Sequence, residues 1–345
     1  MEYRQLGQSD LQVSAICLGT MTFGQQNTQQ EAFAQMDYAR DSGINFIDTA
    51  ELYPVPPKSE TYTRTETIVG NWLVNQPRDQ VIIATKVAGP NRNLKWIRQG
   101  PKSVDSANVQ QAIEGSLRRL QTDYIDLYQI HWPVRNVPMF GQFRFDPSQE
   151  FECVSVREQL EALAECVQAG KVRYIGVSNE TPWGMMSFLQ AAKDYDLPRI
   201  VSTQNAYSLL NRTYEFGMSE IGFREQVGLL AYSPLAFGHL TEKYQQQPMG
   251  SGRIDQFPGF GQRYEKPSVQ PAVTAYAELA RQHGLTPTEM ALSYVYHRWF
   301  VASTIIGATS MAQLEENMGA WHKPLSSALL KEIDALQLRY MNPAP

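Results

Sequence analysis

Four side chains able to hold or move a proton stand where apolar, strand-like runs stop. Asp48 closes "NFID", Lys86 closes "VIIATK" and His131 closes "YIDLYQIH", while Tyr53 follows Asp48 by five residues in "DTAELY". Each alone has an ordinary structural explanation. A strand-end Asp caps a helix or pairs with a cation, and a loop Tyr packs. Grouped, they make a chemical unit. A phenol, with its usual pKa near 10, is a weak acid at neutral pH. An ammonium beside it favours phenolate and lowers that value. A carboxylate keeps the ammonium charged and oriented, and an imidazole can hydrogen-bond a carbonyl oxygen. Such a set suits protonation of an oxygen while hydride reaches the carbon that carries it. That chemistry needs a hydride source, hence a nicotinamide cofactor.

The four residues meet only if their strands run parallel. Eight short apolar runs, at residues 15–19, 45–48, 81–86, 125–131, 172–177, 200–204, 228–232 and 303–307, alternate with stretches of helical spacing. "AFAQMDYARDSG" puts Phe33, Met36, Tyr38 and Ala39 near one face and stops at Gly43. "NVQQAIEGSLRRLQTD" puts Val109, Ile113, Ser116, Leu117 and Leu120 on one stripe, and "REQLEALAECVQAGK" repeats the pattern up to Gly170. Strands alternating with helices predict α/β architecture with a parallel sheet, and eight of them predict a closed (β/α)8 TIM barrel. The rival is an open doubly wound sheet. No GxGxxG follows the first strand and no P-loop is present, so the open-sheet dinucleotide fingerprint is missing. An N-terminal hairpin is expected within residues 3–13, and two additional helices after the last strand, in "SMAQLEENMGAW" and "SSALLKEIDALQLRY". No internal repeat or linker divides the chain, so residues 1–345 are expected to form a single barrel domain. Two stretches, 132–154 and 235–271, are too long for simple barrel loops. Both follow strand ends on the C-terminal face, where barrels carry chemistry.

Composition narrows the class further. With 30 Lys and Arg against 35 Asp and Glu, the net charge is −5, so no global basic field would attract nucleic acid or an anionic membrane. The three cysteines, Cys17, Cys153 and Cys166, show no CxxC and no zinc spacing. They suit a reducing compartment, and no metal site is expected. The N-terminus lacks an apolar signal core and no apolar run is long enough to span a bilayer, so a cytoplasmic location is expected. His239, His283, His297 and His322 lack ligand spacing and are expected on the surface or in loops.

Eight blocks in order then carry a family resemblance. "LGTMTFG", "FIDTAELYP", "ATKV", "TDYIDLYQIHWP", "GKVRYIGVSN", "TQNAYSLLNR", "LLAYSPLAFGHLTEKY" and "IIGATSMAQLEEN" together resemble the aldo-keto reductase superfamily over nearly the whole chain, near its bacterial Tas-like members and its potassium-channel β-subunit branch. The resemblance implies the catalytic tetrad Asp48, Tyr53, Lys86 and His131, with Tyr53 as general acid, Lys86 lowering its pKa, Asp48 holding Lys86, and His131 orienting the carbonyl. It implies NADPH extended over the C-terminal rim. Gly19, Thr20 and Met21 belong to that cofactor set, with Ser178, Asn179 and Gln204 at the carboxamide and Tyr232 stacked on the nicotinamide. Ser233, Pro234, Leu235, Gly238 and Leu240 would wrap the pyrophosphate, and Lys243 and Arg253 would meet phosphates. Gly307, Thr309, Gln313, Glu316 and Asn317 would serve the adenosine end, at a helix N-terminus suited to anions. Many members place a Lys or Arg in that last block for the 2′-phosphate, and this chain does not. The expected preference for NADPH over NADH therefore rests on Lys243 and Arg253.

The expected substrate is a small aldehyde or ketone, in a pocket rimmed by Phe23, Trp132 and Tyr53. The segment "RNVPMFGQFRFD", with Met139, Phe140, Phe143 and Phe145, is read as a lid or an interface, which leaves a homo-oligomer open. The alternative to a reductase is a nicotinamide-binding regulatory or scaffold protein, slow in turnover, whose cofactor state biases a partner.

Overall fold

The computed structural model describes residues 1–90, 94–100, 103–246, 252–257 and 259–345. A two-stranded antiparallel hairpin, β1 (Tyr3–Gln5) and β2 (Gln12–Ser14), precedes the barrel. Eight strands follow: β3 (Ile16–Gly19), β4 (Phe46–Asp48), β5 (Ile82–Val87), β6 (Ile125–Ile130), β7 (Val172–Ser178), β8 (Ile200–Ala206), β9 (Gly228–Tyr232) and β10 (Val301–Ile306). Each pairs in parallel with its neighbour in chain order, and β10 closes the barrel on β3 through the register Thr304↔Ile16 to Ile306↔Leu18. The (β/α)8 barrel expected from the sequence is present, and the open sheet is excluded.

Helices cover the barrel: α1 (Gln29–Asp41), α2 (Arg64–Leu73), α3 (Ser106–Leu120), α4 (Val156–Gln168), α5 (Pro182–Asp194) and α6 (Met218–Glu225). Two single turns, α7 (Lys243–Gln246) and α8 (Arg253–Gln256), lie after β9. Then come α9 (Val269–Gln282), α10 (Pro287–Tyr296), α11 (Met311–Gly319) and α12 (Ser327–Arg339). Local chemistry starts several of them. Thr28 with Glu31, Ser155 with Glu158 and Thr286 with Glu289 form capping boxes on α1, α4 and α10. Each cap satisfies N–H groups the helix itself cannot, stabilising by about 1 kcal/mol.

The hairpin plugs the N-terminal end of the barrel. Leu6, Leu11 and Val13 are buried against Cys17, Phe46, Ile82, Leu127 and Leu230, which point down the barrel axis. The turn needs Gly7, whose φ is 56° and where a Cβ would lie 2.8 Å from the Gln226 carbonyl oxygen. A larger core packs the outer strand faces against the helices. With one end plugged, the C-terminal rim is the open face.

The described residues of the stretch 235–271 carry more regular structure than its Gly- and Pro-rich composition predicts. It contains a 3-10 segment (Ala236–Thr241), α7, α8, a 3-10 turn (Gln262–Tyr264) and the first turn of α9; residues 247–251 and 258 lie outside the described set. Pro271 is the third residue of α9, where no intrahelical N–H is required, so it does not break that helix.

Candidate active site

Asp48 ends β4, aligned with Gly19 on one side and Ala84 on the other. Lys86 lies two residues past Ala84 on β5, and His131 follows directly after β6. The strand alignment thus delivers all three to the same rim. Tyr53 returns over that rim from the loop after β4, its N–H donating to the Ala50 carbonyl (3.1 Å).

The Lys86 ammonium is fully buried and donates to Asp48 Oδ2 (2.7 Å), to the Thr49 carbonyl (2.7 Å) and to the Tyr53 hydroxyl (3.5 Å). It also lies 4.9 Å from the centroid of the Tyr53 ring. The His131 ring meets the Tyr53 ring edge-on at 5.7 Å and the Trp132 ring at 4.9 Å. Burial pulls the Lys86 pKa down, but the Asp48 carboxylate, the Tyr53 phenol and their hydrogen bonds outweigh it, and the net shift is upward. The ammonium therefore holds its proton. Burial also governs Tyr53. It pushes the phenol above its usual value, and the opposing pull of Lys86 does not cancel it. Lys86 thus lowers the phenol pKa, as expected from the sequence, but burial outweighs it and the net shift is upward.

The second oxygen of Asp48 is held as well: Gln204 Nε2 donates to Asp48 Oδ1 (2.8 Å). Ser178 Oγ donates to the Gln204 carbonyl (2.8 Å). Asn179 Nδ2 donates to the His131 carbonyl (2.9 Å), and the Tyr232 hydroxyl donates to Asn179 Oδ1 (2.6 Å). One hydrogen-bonded web therefore joins the ends of β4 through β9.

Above the web opens a cavity of about 1060 Å³. Asp48, Tyr53, His131 and Trp132 line it, as do Gly19, Thr20, Met21, Ser178, Asn179, Gln204, Tyr232, Ser233, Pro234, Leu235 and Gly238. Lys243, Arg253, Gly307, Thr309, Gln313, Glu316 and Asn317 complete the set foreseen from the sequence. Lys86 lies beneath the floor. Two further foreseen residues, Phe23 and Leu240, do not line the cavity either. Phe23 does not rim it: it follows a tight turn closed by its N–H on the Thr20 carbonyl (2.9 Å), and its ring is fully buried in the larger core that packs strands against helices. Leu240 is likewise buried in the main core and packs the 3-10 segment from below.

One wall of the cavity is cationic. Burial and the neighbouring Arg253 hold the Lys243 pKa down, with Asp255 opposing, and burial lowers Arg253. Arg253 donates to Gln26 Oε1 (3.2 Å) and approaches Met21 Sδ (3.5 Å). Gly238, at φ 96°, lets the chain pass close: a Cβ there would lie 2.7 Å from Lys243 Nζ. Backbone turns with Ser233, Ala236 and Phe237 at positive φ precede it. Two cations beside a glycine-opened turn are a fit for a phosphorylated ligand. At the opposite wall Gln313 folds back on its own helix start, its Oε1 accepting from the Thr309 N–H (2.9 Å) and hydroxyl (3.1 Å). Asn317 Nδ2 donates to the Gly307 carbonyl (3.2 Å).

Sequence reasoning missed several cavity residues: Gln25, Gln26, Leu52, Val55, Leu94, Phe260 and Arg263. Leu52 lies within the block "FIDTAELYP" but is not singled out by it; the others fall outside the quoted blocks, and only the closed fold brings them to the cavity. His239, expected on the surface or in a loop, instead sits half-buried in the 3-10 segment, packed between Tyr244 (4.9 Å) and Tyr264 (5.1 Å). Burial, aided by Lys243, lowers its pKa to about 4 and keeps it neutral. Cys153 is exposed and Cys17 and Cys166 are buried, all as free thiols. Among the described residues, no group of three or more His, Cys, Asp or Glu is placed to hold a metal, and no helix is long and apolar enough to cross a membrane.

The chain is a closed parallel (β/α)8 barrel with a lysine-backed phenol on the floor of its rim cavity. The family match makes the class specific. A model of the aldo/keto reductase family matches residues 15–338. The chain is 49% identical to protein tas of Escherichia coli K12, over the full length of both. It is 38% identical to an aldo-keto reductase of Babesia bovis over 76% of this chain and 98% of that one. It is 28% identical to L-glyceraldehyde 3-phosphate reductase of Escherichia coli K12, over 97% of this chain and 92% of that one. The chain belongs to the aldo/keto reductase family, a family of oxidoreductases that work with a nicotinamide coenzyme.

Proposed function

We propose that the protein is an NADPH-dependent reductase of small aldehydes and ketones, with Tyr53 as the proton donor. The observation that supports this most is the buried run from Asp48 through Lys86 to the Tyr53 hydroxyl, which opens into the cavity beside His131. A reduced nicotinamide supplies the hydride to the carbonyl carbon. The chain's own residues do the rest. Trp132, Leu52, Val55 and Phe260 give the carbonyl compound an apolar seat and keep water from it. His131 polarises the carbonyl oxygen. Tyr53 gives that oxygen its proton, and the Lys86 ammonium stabilises the phenolate left behind. Asp48, fixed by Gln204 on its other oxygen, holds the ammonium in place. Lys243 and Arg253 would take the coenzyme phosphates, and Ser178 and Asn179 the carboxamide end.

Replacing Tyr53 by Phe removes the proton donor and keeps the ring. Tyr53→Phe is expected to retain NADPH binding, read by fluorescence quenching, and to lose about 10²–10⁴ in turnover, the usual size of general-acid catalysis. The same titration compares NADPH with NADH, and a panel of aldehydes follows on the nicotinamide absorbance. Turnover unchanged in Tyr53→Phe would remove Tyr53 from the mechanism. Tight coenzyme binding with no turnover on any carbonyl would favour the regulatory alternative.

A further inference from the structure

Among the described residues, two arginines lining the cavity, Arg253 and Arg263, form no ion pair with a carboxylate. Four other buried or half-buried arginines each pair with a carboxylate: Arg98 with Glu51, Arg119 with Glu66, Arg135 with Glu180 and Arg212 with Glu215. Arg253 does not, and the reading above assigns it to the coenzyme. Arg263 is the other exception. It is only 9% exposed; burial works against its charge, the neighbouring phenols of Tyr232 and Tyr264 favour it, and the net shift is upward with no carboxylate among the causes. Its guanidinium stands 5.5 Å from the Phe140 ring centroid. Beside it, Lys266 donates to the Gly141 carbonyl (2.9 Å) and feels Arg263 as its charged neighbour. Taking a guanidinium out of water without an anion is costly, and one more cation nearby adds to the cost. A bound oxyanion would relieve both, and the planar fork of arginine suits carboxylate or phosphate.

The place of Arg263 says which end of a ligand it would meet. Trp132, Phe140, Gln262 and Arg263 line both the main cavity and an adjoining hollow of about 490 Å³, which Lys266 also lines. The Trp132 ring lies against His131, and the Tyr232 phenol acts on both Tyr53 and Arg263. A carbonyl group at Tyr53 and His131 would leave the rest of its molecule running along Trp132 and Phe140 towards Arg263. We infer that the substrate is an anionic aldehyde or ketone, with a carboxylate or phosphate remote from the carbonyl, and that Arg263, flanked by Lys266, binds that oxyanion and sets specificity. The inference rests on the reductase reading and deepens it. The reaction is unchanged: hydride goes to the carbonyl carbon, the Tyr53 proton goes to its oxygen, and the remote anion is a handle.

The test compares 4-carboxybenzaldehyde with its neutral methyl ester, at saturating NADPH. The wild-type kcat/KM should favour the acid by about tenfold or more, mainly through KM, since a site built to pair a group disfavours the analogue lacking it. Arg263→Met should bring the acid-to-ester ratio close to one. Lys266→Met, at a more open position, should reduce the ratio part of the way, and it serves if the first variant folds poorly. Equal use of acid and ester by the wild type overturns the proposal. So does loss of NADPH affinity in Arg263→Met with the ratio intact, which would place Arg263 on the coenzyme. If neither aldehyde turns over, the reductase reading fails separately, and calorimetry on the NADP⁺-loaded protein decides the anion site. Binding of benzoate but not benzamide, lost in Arg263→Met, sustains the site, and no difference between the two ligands overturns it.

Discussion

At Tyr53 two electrostatic influences oppose each other, and their balance sets a pH signature. Burial raises the phenol pKa and Lys86 lowers it, with burial the larger. The folded phenol is therefore protonated throughout the neutral range. Reduction needs that protonated form. Its kcat should be level between about pH 7 and 9 and should fall only as pH passes the raised phenol value, above the ordinary value near 10. Oxidation of an alcohol needs the phenolate instead, so its rate should climb about tenfold per pH unit over the same range. Stopped-flow rates of both directions from pH 6 to 10 test this. A reduction rate that already declines between pH 6 and 8 would point to His131, not Tyr53, as the donor. The residues of this centre were legible in the chain because each stands at a strand end or directly above one, and period and spacing locate strand ends. The upward shift of Tyr53 was not legible: a motif shows the neighbouring lysine but not how much water the fold removes. Phe23 illustrates the same limit. Its block is recognisable, but the direction of its ring depends on a turn closed by backbone hydrogen bonds.

Helix-to-helix packing holds the scaffold of that centre. α2, which follows the Tyr53 loop, carries the buried Glu66. Its Oε1 accepts from Thr85 Oγ1 (2.5 Å), next to Lys86 on β5, and its Oε2 accepts from Arg119 Nε (2.7 Å) on α3. These ties require α2 and α3 to lie close, and Gly70 makes that possible: a Cβ there would stand 2.8 Å from both Cα and the carbonyl carbon of Leu120. Helix propensity alone favours Gly70→Ala by about 1 kcal/mol. The obstruction is backbone, which cannot swing aside, and overpacking typically costs about 1–3 kcal/mol. The expected outcome is a net loss of stability, seen as a lower midpoint in urea unfolding, with turnover reduced if α2 draws the Tyr53 loop with it. A raised midpoint would mean the two helices separate freely. The barrel elements themselves were readable from alternation and length. The single turns after β9 were not, because Gly- and Pro-rich composition signals loop, while contacts such as Phe237 stacked on Phe260 (5.1 Å) and tilted against Tyr264 (5.3 Å) form only in the closed fold.

Across the whole molecule, charge is arranged against its average. The chain carries a net −5, yet Lys243, Arg253 and Arg263 line one cavity. A polyanionic coenzyme bound there, as proposed, would be repelled weakly at long range and attracted at short range. Part of that attraction passes through solvent at the cavity mouth, where salt screens it over about 8–10 Å at ordinary ionic strength. If Lys243 and Arg253 read the extra phosphate of NADPH, both coenzymes should bind more weakly as salt rises, and NADPH should lose more. The ratio of the NADH to the NADPH dissociation constant should shrink by about threefold between 0.05 and 0.5 M NaCl, a screening estimate for charges at a partly open site. Lys243→Met should bring the low-salt ratio down to the high-salt one, because the variant removes by substitution what salt removes by screening. Fluorescence quenching titrations of both coenzymes at the two salt concentrations measure this directly. A ratio that does not change with salt or in Lys243→Met would mean that the phosphate is read by neutral hydrogen bonds, with Thr309 and Gln313 at the start of α11 as the groups left to make them.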